Sequence, residues 1–289
     1  MRRIVIIGLG LIGGSMGLAL KQADPGETEV VGYTRSAETS TKAVKLGAVD
    51  RMETNIASAV YKADLVILAT PPMVIKDILK EIGPHLSPGC VVTDAASTKV
   101  KVMEWAEWYL PETVNFVGGH PMAGKELPGI DVAEFSLFQE CTYCIVPAES
   151  ASPEATRVVV DLVTTLGANP LFIDAQEHDN LVAGISHLPL IISSALVMTT
   201  TQSPSWEKMS GLAAGGYRDL TRLASQHPMM NRDICFTNKD NVLDWIDKFT
   251  GELKQFRDLI SREDNKLEKL FSRGQRARQK WIEERGKRG

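Results

Sequence analysis

The chain begins with a short apolar run, Arg3-Ile4-Val5-Ile6-Ile7, with no polar residue breaking it. A run without alternation fits a strand covered on both faces, as in a parallel sheet. Similar runs recur at 29–33, 64–69, 90–94, 115–117, 141–146 and 170–174. Between them, apolar residues return at helical spacing, over 40–46 and 57–61, at Ile75, Ile78, Leu79 and Ile82, and around Trp105 and Trp108. Strands alternating with helices predict an α/β domain built on a parallel sheet. Past residue 174 the alternation stops. Leu181, Val182, Ile185 and Leu188 keep helical spacing, and Pro189 predicts a kink near His187 because it lacks an N–H and crowds the preceding turn. Residues 190–198 are apolar on most sides, so that helix must be buried, in part against a second subunit. The stripe Trp245, Ile246, Phe249, Leu253, Phe256, Leu259 and Ile260 reads as core or interface, and the basic tail from Arg273 as a solvated helix end.

The first strand delivers Gly8-Leu9-Gly10-Leu11-Ile12-Gly13, and a helix pattern (Met16, Leu18, Ala19, Leu20) follows at once. Strand, GxGxxG, then helix is the context in which that motif signifies a dinucleotide site. The first glycine permits the turn, the second admits a pyrophosphate, and the third lets the helix pack on the strand. The expectation is an N-terminal Rossmann-type dinucleotide-binding domain over 1–174 and an all-α domain for substrate and dimerisation over 175–289. The second strand ends at Thr34-Arg35-Ser36, where an NAD enzyme usually carries an acidic residue for the ribose. A guanidinium and two hydroxyls suit a 2′-phosphate, which predicts NADP over NAD. The third strand stops at Thr70-Pro71-Pro72, a rigid lip on the edge where open parallel sheets bind ligands.

The candidate chemistry lies at the ends of the next strands. Gly118-Gly119-His120-Pro121-Met122-Ala123-Gly124-Lys125-Glu126 has too many glycines and a proline for an ordinary strand or helix, and predicts a tight loop presenting one imidazole with a carboxylate behind it. Asp94-Ala95-Ala96-Ser97-Thr98-Lys99 places the Ser97 hydroxyl on the same edge. Thr70, Ser97 and His120 thus converge on a hydride-transfer site.

Composition narrows the partners. The 289 residues are 44% hydrophobic and 24% charged, with a formal charge of −4, which argues against general nucleic-acid binding. Cys141 and Cys144 have CxxC spacing but sit in an apolar run, so both thiols read as strand core. No secretory signal precedes the first strand, and the apolar segment 188–198 is too short to span a bilayer. The expectation is a cytoplasmic protein.

On the His120–Glu126 and Asp94–Lys99 motifs, the sequence resembles the prephenate and arogenate dehydrogenases of tyrosine biosynthesis. Glu177-His178-Asp179, Ile185-Ser186-His187-Leu188-Pro189 and Gly215-Gly216-Tyr217-Arg218-Asp219-Leu220-Thr221-Arg222 extend the likeness to about Asp233. The resemblance implies oxidative decarboxylation of a ring that becomes aromatic as hydride leaves. It implies His120 as base, Ser97 orienting the ring hydroxyl, Arg222 binding a substrate carboxylate, and a homodimer formed through the helices. His187, His178 and Asp219 are further candidates for the substrate site. Two departures stand out: Leu190 where many members carry histidine, and Met229-Met230-Asn231 where some have tryptophan. Glu126 and Asp131, close behind His120, would attract an ammonium, which favours arogenate over prephenate. No regulatory domain follows the helices, so feedback control would act at the active site. Two rivals remain at this point. An NADP-linked imine or hydroxyacid oxidoreductase would be separated by a substrate scan. A non-catalytic NADP-sensing protein would bind cofactor without turnover.

Overall fold

The computed structural model describes residues 2–23, 26–125 and 127–286. Its strands are β1 (Arg2–Ile7), β2 (Thr28–Tyr33), β3 (Arg51–Glu53), β4 (Leu65–Leu68), β5 (Val91–Asp94), β6 (Asn115–Pro121), β7 (Thr142–Pro147) and β8 (Asn169–Phe172). They form one eight-stranded sheet in the order β3-β2-β1-β4-β5-β6-β7-β8. Every neighbouring pair is parallel except β6 with β7. The order runs outward both ways from β1, so the crevice at the carboxyl ends of β1 and β4 is where a ligand belongs.

Six helices clothe this sheet: α1 (Leu11–Ala23), α2 (Ala37–Lys45), α3 (Ile56–Val60), α4 (Pro72–Ile82), α5 (Val100–Tyr109) and α6 (Pro153–Thr165). Alternate residues of one strand serve opposite faces. Ile4 and Ile6 join Met16 and Leu20 of α1 and Val159 and Leu162 of α6. Val5 and Ile7 join Ile75 and Leu79 of α4 and Val102 and Trp105 of α5. Both faces are buried, as the unbroken apolar runs require.

Two expectations change here. Residues 118–121 are strand, not loop: β6 continues to Pro121, with His120 opposite Cys144 of β7. The glycines are there for close approach. A Cβ on Gly119 would lie 2.5 Å from the Asp94 carbonyl oxygen, and one on Gly118 2.9 Å from Met103 Sδ. Pro121 is tolerated because it ends the strand, where a missing N–H costs no ladder bond. The second change concerns the long apolar helix. α7 (Ala175–Val182), a π turn (Ala183–His187) and α8 (Leu188–Thr201) are continuous. Ala175–Thr201 is 27 residues and, by length and composition, long and apolar enough to cross a bilayer, although the apolar stretch alone is shorter. Where a kink was expected, the helix carries a π turn: the Leu188 N–H donates to Ala183 O, one residue further back than an α-helix allows.

Four further helices follow, α9 (Trp206–Leu212), α10 (Gly215–Thr221), α11 (Pro228–Thr237) and α12 (Lys239–Ser261), and then α13 (Lys266–Gly286). Contacts divide the chain into two compact units, Met1–Asn241 and Val242–Gly289. Thus the helices through α11 belong with the sheet. In the second unit the Phe256 and Phe271 rings meet at a tilt of 56° with centroids 5.2 Å apart, and Arg273 pairs with Glu252 at 2.9 Å. The basic tail is helical through Gly286.

Candidate active site

At the β1–β4 crevice the backbone leaves space for a ligand. Gly8 has φ +95°, and a Cβ there would meet the Ala69 carbonyl oxygen at 2.5 Å and Thr70 Cγ2 at 2.6 Å. A Cβ on Gly13 would fall 1.9 Å from Gly8 O, so the helix can dock on the turn only with glycine. Gly10 differs: none of the described residues lies within 4 Å of its missing Cβ. The N-terminus of α1, with Leu11 and Ile12 in its first turn, opens beside that space, and its free amides favour an anion. Across the crevice Thr70 Oγ1 is buried with no partner among the described residues, and Pro71 sets the entry to α4. Open room at Gly10, a helix N-terminus and an orphaned hydroxyl together fit a dinucleotide. At the end of β2, Thr34 Oγ1 accepts from the Ser36 amide at 3.4 Å, and Ser36 Oγ caps α2 by accepting from the Thr39 amide at 3.1 Å. That cap uses a lone pair and leaves the Ser36 hydroxyl proton to donate. Arg35, between them, is exposed.

Next along the sheet, β6 carries His120 into a buried group of polar side chains. His120 Nδ1 is 2.9 Å from His178 Nε2, and His178 Nδ1 is 2.8 Å from Asp179 Oδ1. Asp179 is buried in turn, and its carboxylate also accepts the backbone amides of Lys99 (2.7 Å) and Val100 (2.9 Å). A carboxylate holding two amides is ionised and can only accept. His178 must therefore donate from Nδ1, which leaves its Nε2 as an acceptor. His120 must then donate from Nδ1, and its Nε2 keeps a lone pair. One anchored carboxylate thus fixes both tautomers. Burial, followed by the nearby His178, Lys99 and His187, holds His120 well below the ordinary histidine range. The ring is neutral at pH 7, with a basic nitrogen free.

His187 faces the same group with opposite polarity. Asn238 Nδ2 donates to Asp179 O at 2.7 Å and lies 3.2 Å from His187 Nδ1, while Asn238 Oδ1 accepts from Asn241. His187 Nδ1 is therefore an acceptor and its Nε2 carries the proton. That nitrogen is buried with no partner among the described residues. Burial pushes the His187 pKa down to about 4, against Asp179 and the Ser97 backbone, which favour the proton. Ser97 itself is half-buried on the loop from β5 to α5.

The remaining candidates are dispersed. Arg222 opens an exposed 3-10 turn (Arg222–Ser225) that packs on α8, where Ala224 N donates to Ser193 Oγ at 2.9 Å. Asp219 is exposed, 3.7 Å from Arg218 Nε. The Asp131 carboxylate lies against α2 and accepts from Lys42 at 2.7 Å. Glu126 lies outside the described residues. Sequence reading assigned no role to Asp179, Asn238, Asp94 or Lys99, of which the last two form a fully buried ion pair. A charged pair closing an apolar strand was the available signal; Asn238 offered none.

Comparison with known proteins places this geometry. Residues 16–171 match the family model described as "Prephenate dehydrogenase, nucleotide-binding domain". Residues 174–273 match "Prephenate dehydrogenase, dimerization domain". The chain belongs to the prephenate dehydrogenase family. It is 37% identical to the prephenate dehydrogenase of Bacillus subtilis (strain 168), over 93% of this chain and 72% of that one. Among solved structures it is similar to Aquifex aeolicus prephenate dehydrogenase in complex with hydroxyphenyl propionate and NAD+. There the identity is 29% and the TM-score 0.89, covering 97% of this chain and 98% of that one. Synechocystis arogenate dehydrogenase is 31% identical, with a TM-score of 0.79, over 96% and 99%. This prephenate dehydrogenase family member is therefore an NAD(P)-dependent oxidoreductase of tyrosine biosynthesis, with a nucleotide-binding sheet followed by a helical domain of the type that dimerises.

Proposed function

We propose that the protein catalyses the oxidative decarboxylation of arogenate to tyrosine, of prephenate to 4-hydroxyphenylpyruvate, or of both, with NADP as the hydride acceptor. The observation that carries this reading is the neutral His120 ring, whose Nε2 lone pair is set by an anchored carboxylate on the edge beside the dinucleotide crevice. His120 takes the ring hydroxyl proton, Ser97 orients that hydroxyl, and Arg222 grips a carboxylate with its planar fork. His187, a donor at Nε2, offers a hydrogen bond to a substrate oxygen. His178 holds the tautomer and touches the substrate only through His120. Bound at Gly8, Gly10, Leu11, Ile12, Gly13, Thr70 and Pro71, the cofactor supplies the hydride acceptor. Thr34, Arg35 and Ser36 favour its 2′-phosphate.

Arogenate is the favoured substrate. Leu190 is buried where a histidine would otherwise meet the side chain, and Glu126 and Asp131 are the first two acidic residues after His120 in sequence. Since Asp131 is engaged by Lys42, Glu126 and Asp219 share the proposed ammonium and side-chain contacts. A homodimer is supported by apolar side chains left exposed on the helices, among them Leu181, Ile185 and Met198. We place the functional division at 174/175 and the protein in the cytoplasm. The deciding experiment assays prephenate and arogenate, each with NAD and NADP, by nicotinamide absorbance. Turnover is expected with both substrates, fastest with arogenate and NADP, and absence of turnover in all four refutes the reading.

A further inference from the structure

The reaction as assigned leaves one buried charged pair unused. Lys99 and Asp94 have no solvent exposure, and they bond each other directly. An ion pair taken wholly out of water is seldom more stable than an apolar pair of the same volume, so stability does not account for it. Its other bonds point to one peptide. Lys99 Nζ donates to Gly119 O at 2.6 Å, and Asp94 Oδ1 accepts from Gly119 N at 3.0 Å. Gly119, the residue before His120, is thus gripped at both its N–H and its C=O. The Lys99 main-chain amide meanwhile donates to Asp179 Oδ1 at 2.7 Å. One lysine therefore touches both the strand that carries His120 and the carboxylate that fixes its tautomer.

We propose that the Lys99–Asp94 pair is a positioning device for His120, clamping the Gly119 peptide and setting a fixed positive charge behind the imidazole. The inference rests on His120 acting as the base. The titratable groups acting on that ring are His178 from α7, Lys99 from the loop after β5 and His187 from the π turn, with Asp179 bonded to His178, Asp94 bonded to Lys99, and Cys144 of β7 opposite His120. The Asp179 carboxylate is held by two amides and His178, and that of Asp94 by Lys99 and two amides. Lys99 is the fixed cation of the set, and it adds to burial and His178 in holding the ring neutral. Its removal makes His120 easier to protonate.

The test uses full-length K99M and D94N/K99M. The His120 ring is titrated by NMR on histidine-labelled protein, assigned with H120N, alongside kcat and KM against pH for both substrates. In K99M the His120 midpoint should rise by about one pH unit or more, and the acid limb of the rate profile should move with it, while cofactor affinity holds. The double variant leaves no unpaired buried charge and should show a smaller rise in the same direction. A purely structural pair would lower kcat at every pH and leave the midpoint where it is in wild type; that result in either variant overturns the proposal. Should wild type turn over neither substrate, the functional reading fails, and the NMR titration still decides the clamp.

Discussion

Asp179→Asn tests the tautomer relay with a change of one atom. In wild type the carboxylate accepts from His178 Nδ1 at 2.8 Å and from two backbone amides at 2.7 and 2.9 Å. An asparagine amide has one accepting oxygen; in the place of Oδ2 it keeps the Val100 amide, and the NH2 takes the place of Oδ1, against His178 and the Lys99 amide. Its NH2 then points at His178 Nδ1 as a donor. His178 must shift its proton to Nε2, His120 must accept at Nδ1, and His120 Nε2 becomes an N–H. The base turns into a donor with scarcely any displacement of atoms. General base catalysis contributes about 100- to 10,000-fold, so kcat should fall by about that factor. Cofactor affinity should be unchanged, because the crevice at Gly8–Gly13 makes no bond to Asp179. Loss of charge-assisted bonds to two buried amides should lower stability by about 1.5–3 kcal/mol. The assay is steady-state turnover on both substrates, with cofactor binding by calorimetry and the tautomer read from nitrogen-15 shifts of the histidine rings. Turnover within about threefold of wild type, in a variant that binds cofactor normally, would refute the relay.

Other outcomes follow from the same geometry. Stability should fall with acid. His187 has a folded pKa of about 4 against an ordinary 6.5, so the unfolded chain binds more protons between those values, and the stabilisation, complete above pH 6.5, is lost as pH falls towards 4. The loss from His187 alone is about 3 kcal/mol, measurable as urea midpoints across that range, and a flat midpoint would contradict it. Gly10→Ala should keep the wild-type Tm, since no atom of the described residues lies within 4 Å of the added carbon, yet lose cofactor affinity; calorimetry and thermal melts distinguish the two. Gly119→Ala, with its methyl 2.5 Å from the Asp94 carbonyl oxygen, should lower Tm and kcat together. Arg35→Ala should raise KM for NADP about tenfold or more, as expected for losing a charged bond, with KM for NAD little changed; equal effects on both would remove the 2′-phosphate role.

The sheet and the crevice were legible because their requirements are local. An unbroken apolar run followed by GxGxxG dictates strand, turn and helix within a dozen residues, and Pro189 announced the irregular turn at His187. The polar group around His120 was less legible, because its bonds close over long separations: 58 residues from His120 to His178 and 80 from Lys99 to Asp179. Nothing adjacent to Asp179 marks it as the anchor. Gly118 and Gly119 misled for a related reason. Their small size serves the approach of Asp94 and Met103 from elsewhere in the chain, and that pressure looks the same in sequence as the demands of a turn.

The single rod Ala175–Thr201 carries Asp179, His178 and His187, whereas His120 belongs to the sheet. On the proposed reading, the accepting nitrogen of His120 is held at Nε2 only while rod and sheet are seated together, and it reports on that seating. Loosening the rod by a turn at its N-terminal end would silence the enzyme while the dinucleotide fold stayed whole. In mild denaturant, then, activity is lost ahead of ellipticity, and the gap between the two curves measures how tightly the rod is held.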